Sequence, residues 1–216
     1  LLLTHVDESL LIHVNGTLFF LMYIDYIFII RIVNIMKRLL VLFFFLLCCN
    51  FSYADQDVLS ALKQGGKLVF IRHALAPGGG DPESFNLNDC STQRNLNSAG
   101  ISQAKNIGQF FKDNNVFIDQ VFSSEWCRTK DTAHNAFKEY KTFSALNSFF
   151  SSKFAKNKKK QMKELRSFIK SWKSKKNVVF VTHYVVILET LNRSVSSGEI
   201  IVADKNYKVI GTIEIN

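Results

Sequence analysis

The 216-residue chain contains only four cysteines, and their positions limit what they can do. Cys48 and Cys49 lie in an apolar segment near the start, whereas Cys90 and Cys127 stand alone. Neither of the latter has the paired spacing that a zinc site requires. We therefore expect the protein to work without a metal ion or another cofactor. The sequence also lacks internal repeats, which excludes a solenoid.

Hydrophobic runs long enough to cross a bilayer are also scarce. The apolar run from Leu39 to Cys49 is shorter than the roughly 20 residues that a membrane helix needs. It follows Met36 and two basic residues and precedes a small-residue cleavage motif, so residues 36–54 have the form of a secretory signal peptide. We expect a mature protein of residues 55–216 that is periplasmic or secreted. Lipid attachment at Cys49 or the cysteine before it is the alternative.

Residues 1–35 precede this signal peptide. The simplest interpretation is an over-extended reading frame with initiation at Met36, so that the segment is not part of the mature protein. A membrane segment around Leu18–Ile30 is the alternative, although Asp25 would interrupt it at a cost of a few kcal/mol.

Acidic residues are outnumbered, with 18 against 27 basic ones, and the net charge is +9. Much of the excess lies in Lys153–Lys176, where eleven basic residues stand against Glu164 alone. Such runs bind nucleic acid or anionic membranes, but this one lacks the interleaved aromatic residues that stack bases. We expect a solvated helix, no nucleic-acid partner, and at most a weak membrane-surface contact. The apolar residues of the segment have helical spacing and predict a buried stripe: Phe154, Leu165, Phe168, Ile169 and Trp172.

Residues with catalytic chemistry are concentrated where predicted strands end. The apolar run Leu68–Ile71 leads into Arg72 and His73 and then into a glycine-rich stretch. In parallel α/β sheets, ligands bind at the carboxyl ends of the strands. A guanidinium group recognises phosphate oxygens through two parallel hydrogen bonds, and an imidazole can attack phosphorus.

Two later segments supply partners for this pair. A short strand ends at Ser123 and Ser124, and Arg128 follows in the first turn of a predicted helix. Near the end of the chain, the apolar strand Asn177–Thr182 is followed by His183. Strands alternate with helices throughout, which favours an α/β fold with a parallel-dominated sheet covered on both faces.

In their order, these pieces resemble the histidine phosphatase superfamily, whose fold is phosphoglycerate mutase-like. The pattern is most similar to that of small phosphohistidine phosphatase-like members, and it covers roughly residues 66–216, including Arg94–Gly100, which leads into a helix. The resemblance implies a single domain with three α/β/α layers around a mostly parallel sheet. Within it, we expect a third strand near Thr142–Leu146 and an edge strand at Ile200–Ala203.

The resemblance also implies roles for the strand-end residues. His73 would be the nucleophile, which takes the phosphoryl group as a phosphohistidine that water then hydrolyses. Arg72 and Arg128 would bind the phosphate oxygens, because phosphoryl transfer depends on positioning and charge neutralisation. His183 would donate to the same oxygens and stabilise the transition state.

The general acid that is usual in this superfamily has no match in the sequence. One branch carries a Glu soon after the third strand, where this chain reads Ala145–Phe150, and another carries an Asp after the second histidine, where Tyr184 follows. Asp81, Glu83 and Glu125 are candidate substitutes, and we expect Asp81 and Glu125 at the substrate-binding site. Glu199 is a further candidate, for which a structural role in ordering the end of the chain is favoured. Without a strong acid, the enzyme works best on leaving groups that need little protonation, such as phosphoramidates and anhydrides.

Two alternatives stay open for the long glycine-rich loop, whose length indicates a functional segment. Arg94, near its end, either lies at the substrate-binding pocket or pairs with Asp81 or Asp89 to order the loop. Cys90 and Cys127 either form a disulfide, as an even pair in an oxidising compartment suggests, or stay reduced.

The sequence thus predicts an exported, metal-independent phosphatase that acts on a phosphorylated small molecule or a phosphoprotein. The alternative is a low-turnover module of the cell envelope that binds a phosphorylated ligand in a phosphatase-like pocket. A mutase is less expected, because the chain has no insertion large enough to enclose a phosphoglycerate.

Overall fold

The structure is a computed structural model that describes residues 28–40 and 53–215. Residues 28–40 are helical, and Ala54–Asn216 form a separate compact unit. Among the described residues, no helix combines the length and the apolar character needed to cross a bilayer. The predicted signal peptide and the upstream extension fall mostly outside the described residues, so both stay predictions.

One sheet forms the centre of the compact unit. Its strands are β1 (Leu68–Arg72), β2 (Ile118–Ser123), β3 (Lys141–Thr142), β4 (Asn177–Thr182), β5 (Ile200–Ala203) and β6 (Val209–Ile213). Their spatial order is β3-β2-β4-β1-β5-β6. Neighbours from β3 to β1 are parallel, whereas β5 is antiparallel to both β1 and β6. Every residue of β4 is buried, as expected for a nearly continuous apolar strand in the middle of a parallel sheet.

Helices pack on both faces of this sheet. They are α1 (Tyr53–Gln64), α2 (Ser98–Asp113), α3 (Cys127–Phe137), α4 (Ser152–Ala155), α5 (Lys158–Ser171) and α6 (Tyr184–Leu191). Alternate residues of β1 point to opposite faces: Phe70 belongs to one buried cluster with Leu165 of α5, and Val69 belongs to the other with Ile107 of α2. The three-layer α/β/α architecture predicted from the sequence is confirmed.

Two predicted strands differ from the observed ones. Of the predicted strand Thr142–Leu146, only the start joins the sheet, because β3 covers Lys141–Thr142 and Ser144–Leu146 form a 3₁₀ turn. The predicted edge strand Ile200–Ala203 has the expected bounds but lies inside the sheet, since β6 pairs along its outer side. All four of its residues are buried accordingly.

The apolar residues predicted to form one buried stripe in the Lys-rich segment do not all lie on one helix. Leu165, Ile169 and Trp172 are buried against the sheet, as expected. Phe154 is not part of that helix, because Lys156 and Asn157 form a turn that separates α4 from α5. Its ring instead packs against aromatic side chains from two other parts of the chain.

The sheet register brings the two candidate catalytic histidines together. Arg72 at the end of β1 pairs with Thr182 at the end of the parallel strand β4. The next residue of each strand, His73 and His183, therefore leaves the sheet at the same edge, where β2 also ends.

Candidate active site

The rings of His73 and His183 face one another, with centroids 5.6 Å apart and planes at 65°. Both side chains are buried, at 2% and 3% exposed. The backbone of His73 is fixed by a hydrogen bond from its N–H to the carbonyl of Thr182, and the next N–H, of Ala74, donates to Thr132 of α3. The first histidine is thus held by both the sheet and a helix.

The tautomer of His73 follows from one hydrogen bond. Its Nδ1 lies 2.9 Å from the carbonyl oxygen of Ala74, and because a carbonyl only accepts, Nδ1 carries the proton. The lone pair is then on Nε2. Burial lowers the pKa of His73 to about 3, and the positive charges of Arg128, Arg72 and Arg94 act in the same direction. The imidazole is therefore neutral near pH 7, which is the state that a nucleophile requires.

His183 is neutral for the same reasons. Burial lowers its pKa well below the ordinary value, and Arg128 and His73 add to the effect. Its Nε2 lies 2.8 Å from the hydroxyl of Ser124, which also accepts a hydrogen bond from the backbone N–H of Trp126. The serine after β2 thus orients the second histidine.

Arg72 and Arg94 are each anchored at one terminal nitrogen. Nη1 of Arg72 donates to the carbonyl of Val195 at 2.8 Å, and Nη1 of Arg94 donates to the carbonyl of Ala76. Burial lowers the pKa of both guanidinium groups, and the nearby charge of Arg128 lowers it further. Both side chains line the same cavity as the two histidines.

Arg128, only 3% exposed, is held by Asp81. Nη1 donates to one carboxylate oxygen at 2.6 Å and Nη2 to the other at 3.1 Å. Asp81 also accepts from the indole N–H of Trp126 and from the backbone N–H of Arg94. Burial raises the pKa of Asp81, but the hydrogen bonds and charge of Arg128 outweigh it, and the net pKa lies below the usual value.

Each of the three arginines has one hydrogen-bond donor without a partner. In each, Nε is buried without a hydrogen-bond partner, and within the described residues these three are all the buried side-chain nitrogens in that condition. A buried donor without a partner costs about 1–3 kcal/mol. The three guanidinium groups line the same cavity as the two histidines, and such a concentration of positive charge favours an anionic ligand there.

Not every predicted site residue lies in the cavity. Glu125 does not, because its carboxylate accepts a hydrogen bond from the amide of Asn147 at 2.5 Å, and its backbone N–H donates back to that amide at 2.9 Å. The structure therefore does not bring Glu125 together with the residues that line the cavity. Asp81 lines the cavity, but its carboxylate already accepts hydrogen bonds from Arg128 and Trp126. Glu83 lines the cavity and is exposed.

The loop after His73 covers the cavity and is tied down at two points. Cys90 forms a disulfide with Cys127, the first residue of α3, with Cα atoms 5.7 Å apart. Next to it, the backbone N–H of Cys127 donates to the side chain of Gln93. On the other side, Gly100 lets α2 approach the loop, since an added Cβ would lie 2.1 Å from the carbonyl oxygen of Leu75.

Sequence reasoning missed the aromatic part of the cavity. The cavity volume is about 610 Å³, and beyond the histidines and arginines it is lined by five aromatic side chains, Tyr184 and four others, and by Lys153. We call the four the aromatic wall: Phe85, Trp126, Phe150 and Phe154. Within the described residues, no cluster of three His, Cys, Asp or Glu has the arrangement of a metal site.

Comparison with known proteins gives structural matches only. No family model matches the sequence, and no curated protein is significantly similar to it. The protein TTHB049 of Thermus thermophilus is similar in structure, with 15% identity and a TM-score of 0.50 over 69% of this chain and 99% of that one. A mutant of that protein matches over the same shares with 16% identity and a TM-score of 0.51. A phosphoglycerate mutase from the same organism has 15% identity and a TM-score of 0.48, again over 69% and 99%.

At such identities the likeness concerns the fold alone. The domain shares its fold with TTHB049, and its α/β/α layers and facing strand-end histidines agree with the phosphoglycerate mutase-like fold that the sequence predicted.

Proposed function

We propose that this protein is a metal-independent phosphatase that works through a phosphohistidine on His73. The observation that carries the proposal is the set of three arginines that line one cavity together with two neutral histidines. In the first step, Nε2 of His73 bonds to phosphorus and the leaving group departs with its electron pair. In the second, water attacks phosphorus, the P–N bond breaks, and phosphate is released.

The arginines supply the electrostatic part of this mechanism. A transferring phosphoryl group spreads negative charge over three oxygens, and catalysis consists largely of positioning and neutralising it. Arg72, Arg94 and Arg128 are each pre-anchored, so their free edges do not need to reorganise during the reaction. His183, oriented by Ser124, donates to the same oxygens when its proton is on Nδ1 and Nε2 accepts from the serine.

Of the candidate acids, Asp81 is ionised and committed to Arg128, and Glu125 lies outside the cavity. Glu83 lines the cavity but is exposed to solvent. We infer that the leaving group receives little protonation, which favours substrates whose leaving groups are weakly basic. The same feature supports a second candidate, a low-turnover module of the cell envelope that binds a phosphorylated ligand.

We also propose that the protein is exported through the signal peptide at residues 36–54. The disulfide between Cys90 and Cys127 supports this, because such bonds persist mainly in oxidising compartments. The mass of the mature protein should then correspond to a chain that begins at Asp55. Weak contact of the exposed lysines of α5 with anionic membranes belongs to the same proposal and predicts salt-sensitive binding to anionic vesicles that does not depend on His73.

Formation of the phosphohistidine is tested by incubating the protein with radiolabelled acetyl phosphate and then stopping the reaction with alkaline detergent. We expect label on the wild-type protein, turnover that is unaffected by a chelator, and loss of both label and turnover in His73→Asn. His134→Asn is the matched control, since this exposed histidine of α3 lies outside the cavity. Retained turnover in His73→Asn would overturn the mechanism. Bound phosphate without any label would instead favour the binding module.

A further inference from the structure

The cavity is much larger than its anion site needs. Its volume of about 610 Å³ lies within the range of roughly 300–1,000 Å³ that is typical of pockets for organic ligands. The two histidines and three arginines account for a phosphoryl group. The remaining lining therefore concerns the group to which the phosphate is attached.

The aromatic wall is continuous with the catalytic residues. The ring of Trp126 lies 5.3 Å from that of His183 at 75°. Phe85 stacks on Trp126 at 5.2 Å, and the ring of Phe154 meets both, at 5.6 Å and 5.4 Å. Trp126 is buried while Phe85 and Phe154 are half-buried, so the wall extends from the second histidine toward solvent.

Phe150 is the remaining member of the aromatic wall, and it lines the same cavity. Its side chain is 74% exposed, more than any other large apolar side chain among the described residues. A single exposed apolar residue needs no explanation. Here, however, the exposed ring lines a cavity that already holds the other three members of the aromatic wall, and such an arrangement indicates contact with a ligand.

We propose that the leaving group of the substrate is a planar aromatic group that stacks on Phe150 and Phe154, so that the enzyme hydrolyses aryl phosphates. This inference rests on the proposed function and specifies its substrate class. In the reaction, the bond between phosphorus and the aryl oxygen breaks, the aryloxide takes a proton from water, and His73 holds the phosphoryl group.

The carboxylates of the site favour this class independently, because Asp81 is held by Arg128 and Glu83 is exposed to solvent. A phenolic oxygen has a pKa of about 10, far below that of an alkyl alcohol, so it leaves without a strong acid beside it. Aromatic side chains in turn bind aromatic groups by stacking, which contributes beyond simple area burial. Lys153, whose Nζ lies 5.7 Å from the ring centroid of Phe154, would favour an anionic substituent on the aryl ring.

The test compares two unreactive analogues, methylphosphonate and 1-naphthylphosphonate, by titration calorimetry on the purified protein. We expect the wild type to bind naphthylphosphonate at least roughly tenfold more tightly than methylphosphonate. Stacking of a nucleic-acid base on an aromatic side chain contributes a free energy of this size. Phe150→Ala and Phe154→Ala should bring the ratio of the two affinities close to one while methylphosphonate binding stays the same. Phe117→Ala is the matched control, since Phe117 is 67% exposed and lies outside the cavity.

Because Phe150 is exposed, its variant is expected to fold normally and keeps the test decisive even if Phe154→Ala is destabilised. An affinity ratio near one in the wild type, or a ratio that Phe150→Ala leaves unchanged, would overturn the aromatic subsite. Neither result depends on turnover, so failure of the subsite is distinguishable from failure of the phosphohistidine mechanism, which the labelling experiment reports.

Discussion

Asp81 holds the far end of the Arg128 guanidinium through two hydrogen bonds, at 2.6 Å to Nη1 and 3.1 Å to Nη2. The Nε–H edge of the same group stays buried and unpaired. The carboxylate thus fixes the orientation of a guanidinium that lines the cavity. Asp81 is therefore a positioning residue for Arg128, and its lowered pKa excludes it as a proton donor near pH 7.

Asp81→Asn should lower kcat while it strengthens inhibition by phosphate and vanadate. The amide keeps the size and one acceptor oxygen but removes the charge that holds Arg128, so we expect kcat to fall roughly tenfold. The cavity also becomes more positive, so inorganic phosphate and vanadate should inhibit at lower concentrations. Steady-state kinetics with phosphate as a competitive inhibitor measures both effects. Asp89→Asn, at an exposed acid of the same loop, serves as control and should change neither. Weaker phosphate inhibition at an unchanged kcat would contradict the positioning role.

The buried histidines should make stability depend on pH. The pKa of His73 is lowered from 6.5 to about 3, so between these values the unfolded chain binds a proton that the folded protein excludes. The free energy of unfolding therefore rises with pH across this window and falls as the pH drops through it. His183, whose pKa is also lowered, acts in the same direction.

His73→Asn tests this dependence, because an amide nitrogen can still donate to the carbonyl of Ala74. Denaturant unfolding of wild type and variant at a series of pH values should give free energies whose difference changes steadily below about pH 6.5. His134→Asn, on the surface, should follow the wild-type curve. Parallel curves for wild type and His73→Asn would show that His73 does not exclude the proton.

The strand-end residues were predictable because their placement depends on local pattern and sheet type. An apolar run followed by Arg72 and His73, and another followed by His183, put polar residues at the carboxyl ends of buried strands. In a parallel sheet these ends share one edge, so convergence follows once the strands are adjacent. Only the resemblance of the ordered motifs to a known family implied that the two histidines converge.

The aromatic wall and the position of Glu125 outside the cavity depend on tertiary contacts that no local sequence pattern indicates. Phe85 lies in the loop after β1 and Phe154 on a helix more than sixty residues later, and only the tertiary fold stacks them on Trp126. Glu125 lies close to Arg128 in sequence, but Asn147 takes up its carboxylate. Both features depend on the direction in which side chains point, which sequence spacing does not specify outside regular helices and strands.

The Cys90–Cys127 disulfide should stabilise both the fold and the cavity. It closes a segment with a sequence separation of 37, for which the chain-entropy model gives about 4 kcal/mol. We expect the double variant Cys90→Ser/Cys127→Ser to lose about this much free energy of unfolding and part of its activity, because the loop that carries Asp81 is then less restrained. Denaturant unfolding and phosphatase assays with and without reductant measure this. Reductant should affect only the wild type; equal sensitivity of the double variant would assign the effect to another group.

Arg94→Met should distinguish the two roles that the sequence left open for this residue. The backbone N–H of Arg94 donates to Asp81 in the loop, and the substitution retains this contact. The variant loses the guanidinium at the cavity and its hydrogen bond to the carbonyl of Ala76. A hydrogen bond to a charged group contributes about 1.5–3 kcal/mol, so phosphate affinity should fall roughly ten- to a hundredfold while the free energy of unfolding falls by no more than the loss of the Ala76 contact explains. Calorimetric titration with inorganic phosphate and thermal unfolding measure the two quantities. A large loss of stability at unchanged phosphate affinity would assign Arg94 to the loop and remove it from the anion site.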